Sequence, residues 1–226
     1  MTRLLLGLVG LVGGLVLLTP RACSAQWQYV PTDSSRVWIE GTSTVNDFTC
    51  ATQQIEGHAQ LALRDEPTPP SAQRVALQDT LDAQERSPDP APPDVPAVQA
   101  KVPVRALDCG KRRQNEDLYE AMKAQEHPAI HYEIVKAEVV APPDSSHDHY
   151  VVEAIGKLTI AGATRTVRLA LQGRRLESGR IHARGSLPMQ MTTFDVEPPT
   201  AMLGLIRVRD DITVHFDITA APANRP

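Results

Sequence analysis

What this chain lacks narrows its chemistry first. It has no G-x-S-x-G nucleophile elbow, no H-E-x-x-H pair and no glycine-rich phosphate loop after a strand. Three common routes to hydrolytic or nucleotide chemistry therefore have no motif to rest on. Aromatic residues are only 4% of the 226, and none is interleaved with a basic patch, which argues against a nucleic-acid-binding face. No basic excess exists either. Lys and Arg number 23 against 27 Asp and Glu, a balance that disfavours electrostatic docking on anionic headgroups. Cysteine is scarce, with three in all, and Cys109-Gly110-Lys111-Arg112 offers no further metal ligand. These absences predict a protein without a catalytic, metal or cofactor site.

Long apolar runs are scarce too, and the exception is informative. Arg3 is followed by a nearly unbroken run from Leu4 to Leu18, then Thr19-Pro20 and small residues up to Ala25. That order predicts a secretory signal peptide over residues 1–25, cleaved after Ala25, since a membrane span needs about 20 apolar residues. Lipidation at Cys23 is the rival, with Pro20-Arg21-Ala22 a poor lipobox. Residues 26–226 then form a single exported domain, periplasmic or secreted. Cleavage removes Arg3 and Arg21 and no acid, leaving 21 basic and 27 acidic residues, a formal charge of −6. Losing or lipidating Cys23 leaves the even pair Cys50 and Cys109, and in an oxidising compartment that pair predicts a disulfide.

What the chain does contain is alternation. Residues 156–171 (GKLTIAGATRTVRLAL) set Leu158/Ile160 and Val167/Leu169/Leu171 on either side of Ala161-Gly162-Ala163-Thr164, the pattern of a tight antiparallel hairpin with one apolar face. Period two recurs at 37–40, at 55–63 and at 102–107. It runs strictly through Ile181, Ala183, Gly185, Leu187, Met189 and Met191, and ends in Ile212, Val214, Phe216 and Ile218. In 130–140 the phase slips after Ile134, which predicts a β-bulge. One short helix is expected after an Asn115 N-cap, with Leu118 and Met122 on its apolar face and Pro128 closing it. Eight or nine strands at hairpin spacing predict an antiparallel barrel or sandwich. Residues 65–100 break the pattern with eight prolines, seven acids and no aromatic, and read as a surface insertion between two strands.

The order G-x-L-T-I-x-G-x-T-R-x-V-x-L at 156–169, preceded by L-x-x-A-M-K-A-x-E-H-P-A-I at 118–130 and followed by T-x-F at 192–194, resembles the YceI-like family. The resemblance spans roughly residues 37–219. It implies an all-β, lipocalin-like antiparallel barrel of about eight strands with one short helix, and a periplasmic protein that binds polyisoprenoids. Ser43-Thr44 stand where the family often has His-Ser, so no functional residue is carried over there.

An apolar loop, residues 191–206 (MTTFDVEPPTAMLGLI), has two readings. It folds back as a cap on one barrel end, or Phe194, Met202 and Leu203 line a mouth that admits an apolar chain, methionine being adaptable to an irregular guest. The expected lining of the cavity is Ile160, Val167, Leu169, Leu171, Leu187, Met189, Met191 and Phe194, with Gly185, Ala183 and Ala170 making room along the bore. The expected function is binding, sequestration or transport of an isoprenoid lipid or quinone, with a homodimer as a candidate assembly. The alternative is a non-catalytic envelope module with a packed barrel, whose 65–100 insertion contacts another envelope protein. His147-Asp148-His149 has loose chelating spacing but reads as a solvated loop. His127 is expected at the helix C-terminus and His131 on a polar strand face.

Overall fold

Period-two alternation closes on itself in the computed structural model of the protein, which describes residues 27–61, 97–201 and 205–223. The strands are β1 (Trp27–Pro31), β2 (Arg36–Ser43), β3 (Asp47–Thr52), β4 (Glu56–Leu61), β5 (Ala97–Pro103), β6 (Ala129–Ala141), β7 (Tyr150–Ile160), β8 (Ala163–Arg175), β9 (Ile181–Gln190), β10 (Thr200–Ala201) and β11 (Ile206–Pro222), with one helix, α1 (Arg112–Ala121). The 17 residues of β11 carry β9 on one edge and β2 then β1 on the other. β1 and β2 are thus two halves of one stave, and β3 and β4, paired to β2 and β1, are halves of the next. From there β4 pairs β5, β5 pairs β6, and the ladder runs on through β7, β8 and β9 to β11. The result is a closed eight-stave antiparallel barrel, which leaves no long edge exposed.

The break between β1 and β2 is stitched to the closing strand. Ser35 is fully buried; its hydroxyl donates to the Thr219 carbonyl at 3.0 Å and accepts from the Thr219 N–H at 3.2 Å. The expected β7–β8 hairpin forms on a two-residue turn, Ala161-Gly162, with φ of 49° and 85°. Both positive values mark a primed turn, whose twist matches the strands it joins. Its register runs from Ile160↔Ala163 to Tyr150↔Gly173. The expected bulge is present, as the β6–β7 register shifts between Ile134 and Lys136, and a second shift follows between Val139 and Ala141.

Three sequence expectations need correction. Residues 97–100 belong to β5, where Ala97 already pairs Gln60, so the insertion ends before them; the rest of it, from 65 to 96, lies outside the described residues. The strand expected over 102–107 stops at Pro103 and gives way to a 3-10 turn, Val104–Ala106, because the Val104 N–H turns to the Pro128 carbonyl. Helix α1 begins three residues before Asn115. That side chain is diverted backwards, accepting from the Cys109 N–H at 2.7 Å and donating to Asp108 at 2.9 Å. The helix also ends ahead of Pro128, with Lys123 at φ 51°.

The barrel has two unlike ends. One, the helix end, gathers the 44–46 turn, residues 104–128, the Ala161-Gly162 turn and residues 191–201. The opposite end carries the β6–β7 loop, the β8–β9 turn and the points where the chain leaves β4 and re-enters β5. At the helix end Val104, Leu107, Met122, Ile160, Phe194 and Val196 belong to one buried cluster.

Candidate functional site

Inward-facing side chains along the staves do not meet at the barrel axis. They surround a continuous cavity of about 1240 Å³, above the roughly 300–1,000 Å³ usual for drug-sized ligands. Along β11 alone the lining runs from Ile206 to Ala220. From Ile212, beyond the register shift after Val208, to Ala220, eight steps of about 3.3 Å inclined at about 40° to the axis give about 20 Å of bore. Polar lining groups collect at the ends, with Lys111, Arg113 and Asp117 of the α1 region at one and Glu138 and Arg174 at the other.

Of the residues expected from sequence, Ile160, Leu169, Leu171, Leu187, Met189 and Met191 line this cavity. Phe194 lines it too, but from the floor. Its ring is 1% exposed within the helix-end cluster, on the 3-10 turn Met191–Phe194. That placement is the cap, not an open mouth. Val167 faces inward, yet sits low on β8 and packs against the cluster instead of the cavity. Met202 and Leu203 lie outside the described residues. Ala183 lines the bore, whereas Ala170 is exposed, because the parity that turns Leu169 and Leu171 inward turns Ala170 out. Gly185 does make room, but its space is taken by the Phe216 ring.

Much of the lining escaped the sequence reading. Val37 and Ile39 of β2, Tyr132 and Ile134 of β6, Leu118 and Met122 of the helix region, and Val214, Phe216 and Ile218 of β11 all contribute. Their alternation was visible, and nothing in it ranked one strand above another.

Tyr132 is the polar exception within the barrel. Its hydroxyl is buried without a hydrogen-bond partner among the described residues, and burial pushes its pKa above the usual tyrosine value. Removing an unsatisfied hydroxyl while keeping the ring relieves a desolvation penalty. The variant Y132F is therefore expected to be neutral or to stabilise by up to about 1 kcal/mol, read from the midpoint of denaturant unfolding at unchanged slope. A loss of stability of that size would mean that the hydroxyl has a partner.

Two carboxylates fasten the helix end. Asp210 accepts from the Thr192 hydroxyl at 2.6 Å and the Thr192 N–H at 2.9 Å, and the hydroxyl bond, then the backbone bond, holds its pKa below the ordinary value. Asp108 is lowered first by the Asn115 amide and then by the Gly110 N–H. Depressed carboxylate pKa values give stability that is present above the unfolded-state pKa of about 3.9 and lost as pH falls through the folded values. Acidification below about pH 4 is thus expected to loosen the helix end, seen as faster amide exchange at Thr192 and Gly110.

The histidine expectations resolve into packing roles. The His127 ring lies over Gly162 of the β7–β8 turn, and its backbone N–H donates to the Lys123 carbonyl. His131 is exposed on β6. The His147 and His149 rings meet at a tilt, 4.6 Å between centroids, while Arg174 takes Asp148 at 2.9 Å. Among the described residues no group of three or more His, Cys, Asp or Glu is placed to hold a metal ion.

Comparison with known proteins follows the fold. The model of the YceI-like domain matches residues 27–220. Among solved structures, BcnA of Burkholderia cenocepacia is 16% identical, aligned over 84% of this chain and 99% of its own, with a TM-score of 0.57. A polyisoprenoid-binding domain of Saccharophagus degradans, implicated in plant cell wall breakdown, is 10% identical over 88% and 99%, with a TM-score of 0.58. Identities this low speak for the barrel alone. No curated protein matches the chain.

Proposed function

The chain belongs to the YceI-like domain family, and from that premise we propose that it binds an elongated apolar lipid, a polyisoprenoid or isoprenoid quinone, and sequesters or carries it in the cell envelope. The observation that carries this reading is the long apolar bore. Each methylene moved from water into such a space gains about 0.8 kcal/mol, reduced by the freedom the guest loses on entry. Ile160, Leu169, Leu171, Leu187, Met189 and Met191 supply contact along the chain, with Phe194 as floor. The reading requires no catalytic step. The Cys50–Cys109 disulfide and the family support an exported protein, with residues 1–25 removed. An unfilled bore of this volume counts against the alternative of a packed module.

Native mass spectrometry of the secreted, disulfide-intact protein tests this, followed by organic extraction of any retained mass. A stoichiometric adduct that releases a prenyl chain or quinone is expected. An apo mass that stays clean after incubation with polyisoprenoids would overturn the reading.

A further inference from the structure

Three glycines inside the strands have no conformational reason to be glycine. Gly41, Gly156 and Gly185 lie within strands, the first two opposite the register shifts of β11 and β6, and none has the positive φ found at Gly110, Gly162 and Gly179. Glycine there weakens a strand, and the space beside each one supplies a reason for it. A Cβ on Gly185 would stand 2.6 Å from the Phe216 ring and 2.8 Å from the Ala170 carbonyl oxygen. One on Gly156 would stand 2.6 Å from both Cζ and the hydroxyl oxygen of Tyr132, and one on Gly41 would collide with the Phe48 ring. Phe48, Tyr132 and Phe216 all line the bore, and they stand on three different staves, β3, β6 and β11. Gly41↔Phe48 and Gly185↔Phe216 are direct register pairs.

We propose that these glycines set the gauge of the bore. Each recess lets an aromatic ring lie over the wall, so the lumen beside it stays open to a slender, flexible chain and closed to a fused-ring lipid. A restored Cβ leaves the ring one direction to move, inward, because the strand backbone behind it is fixed by its ladder. The inference rests on the lipid-binding reading and adds which residues select the ligand and by what property. In a packed core an added methyl forces strain on its neighbours. At Gly156, where the nearest atoms are those of the Tyr132 side chain, the ring can swing into the lumen, so the fold tolerates the change and the guest does not; at Gly185 the methyl also meets the Ala170 carbonyl oxygen and strains the strand.

The test uses delipidated protein, a ladder of all-trans prenols of increasing length, and cholesterol as the fused-ring probe. Wild type is expected to retain long prenols and to reject cholesterol. G185A and G156A are each expected to lose at least tenfold in affinity for the long prenols, with Tm moving by only a few degrees in G156A and further in G185A, whose methyl also meets the Ala170 carbonyl oxygen. F216L added to G185A is expected to restore binding, because the smaller side chain no longer crosses the lumen. Unchanged affinity in G185A overturns the gauge and leaves lipid binding intact, as does a loss that F216L fails to rescue. Should G185A not fold, F216L alone decides: a widened bore is expected to gain at least tenfold in cholesterol affinity, and no gain overturns the proposal. A wild type that retains no prenol overturns the lipid-binding reading and the gauge together.

Discussion

Replacing Phe194 with alanine is expected to cost about 3–5 kcal/mol, the range for truncating a buried aromatic whose surroundings cannot collapse. The surroundings here are held from several sides. The Met191–Phe194 turn is anchored by Asp210 on Thr192. Its far side ends at Asp195, at φ 56°, whose carboxylate meets Arg165 of β8 at 3.1 Å. Val104, Leu107 and Met122 approach from residues 104–122, and Ile160 from the hairpin end. None of these can follow the lost ring, so the space stays empty and the bore gains a leak at its floor. For a domain of this size the loss is roughly 10 °C in Tm. The measurement is denaturant unfolding of F194A beside native mass spectrometry. Lipid is expected to remain bound but to leave faster. A loss below about 1 kcal/mol, far under the range for a buried Phe, would mean that Phe194 is not a plug and would revive a mouth at this end.

Alternation in the sequence carried the facing of side chains and little else. It placed the β7–β8 hairpin, the bulge after Ile134 and the inward set of β9, because a period of two survives any amount of tertiary context once one face is buried. Depth along the axis is not periodic. Val167 and Leu169 share a face, yet the first packs against the helix-end cluster and the second lines the cavity. Ala170 failed for a simpler reason: smallness suggested room, but its parity turns it to solvent.

The gap between core and cavity was illegible for a physical reason. Packed interior and apolar bore require the same residue types at the same spacing. What separates them is whether side chains from opposite staves meet, which depends on the number of staves and their tilt. The glycine recesses belong to the same class of information. Gly185 becomes meaningful only when Phe216, 31 residues further along the chain, is laid over it by the β9–β11 register. Local capping failed where a tertiary partner outbid it: Asn115 has the chemistry of an N-cap, but the turn at Asp108–Cys109 claims its side chain.

Loss of the Cys50–Cys109 disulfide is expected to cost about 4 kcal/mol through the freedom it returns to the unfolded chain, with a fall in Tm of roughly 10 °C. The bond closes a separation of 59 residues and does so where the barrel wall is thinnest. β3 pairs β2, but on its other edge, among the described residues, it has only the Ala51↔Asp108 bridge, two backbone hydrogen bonds of 2.9 Å. The disulfide therefore fastens the start of α1 over the stave that β5 does not reach, and C50S/C109S is expected to open the helix end first. Chain entropy makes a second, sharper statement. Deleting residues 65–96 is geometrically simple, since Gln60 and Ala97 are already paired and residues 61–64 suffice to turn between them. The deletion cuts the closed separation from 59 to 27, yet the logarithm trims the bond's contribution by only about 0.7 kcal/mol. Reductant should thus destabilise the shortened protein almost as much as the full chain, measured by paired denaturant titrations. If its effect disappears with the insertion, the disulfide acts by holding that segment against the barrel and not by constraining the unfolded state.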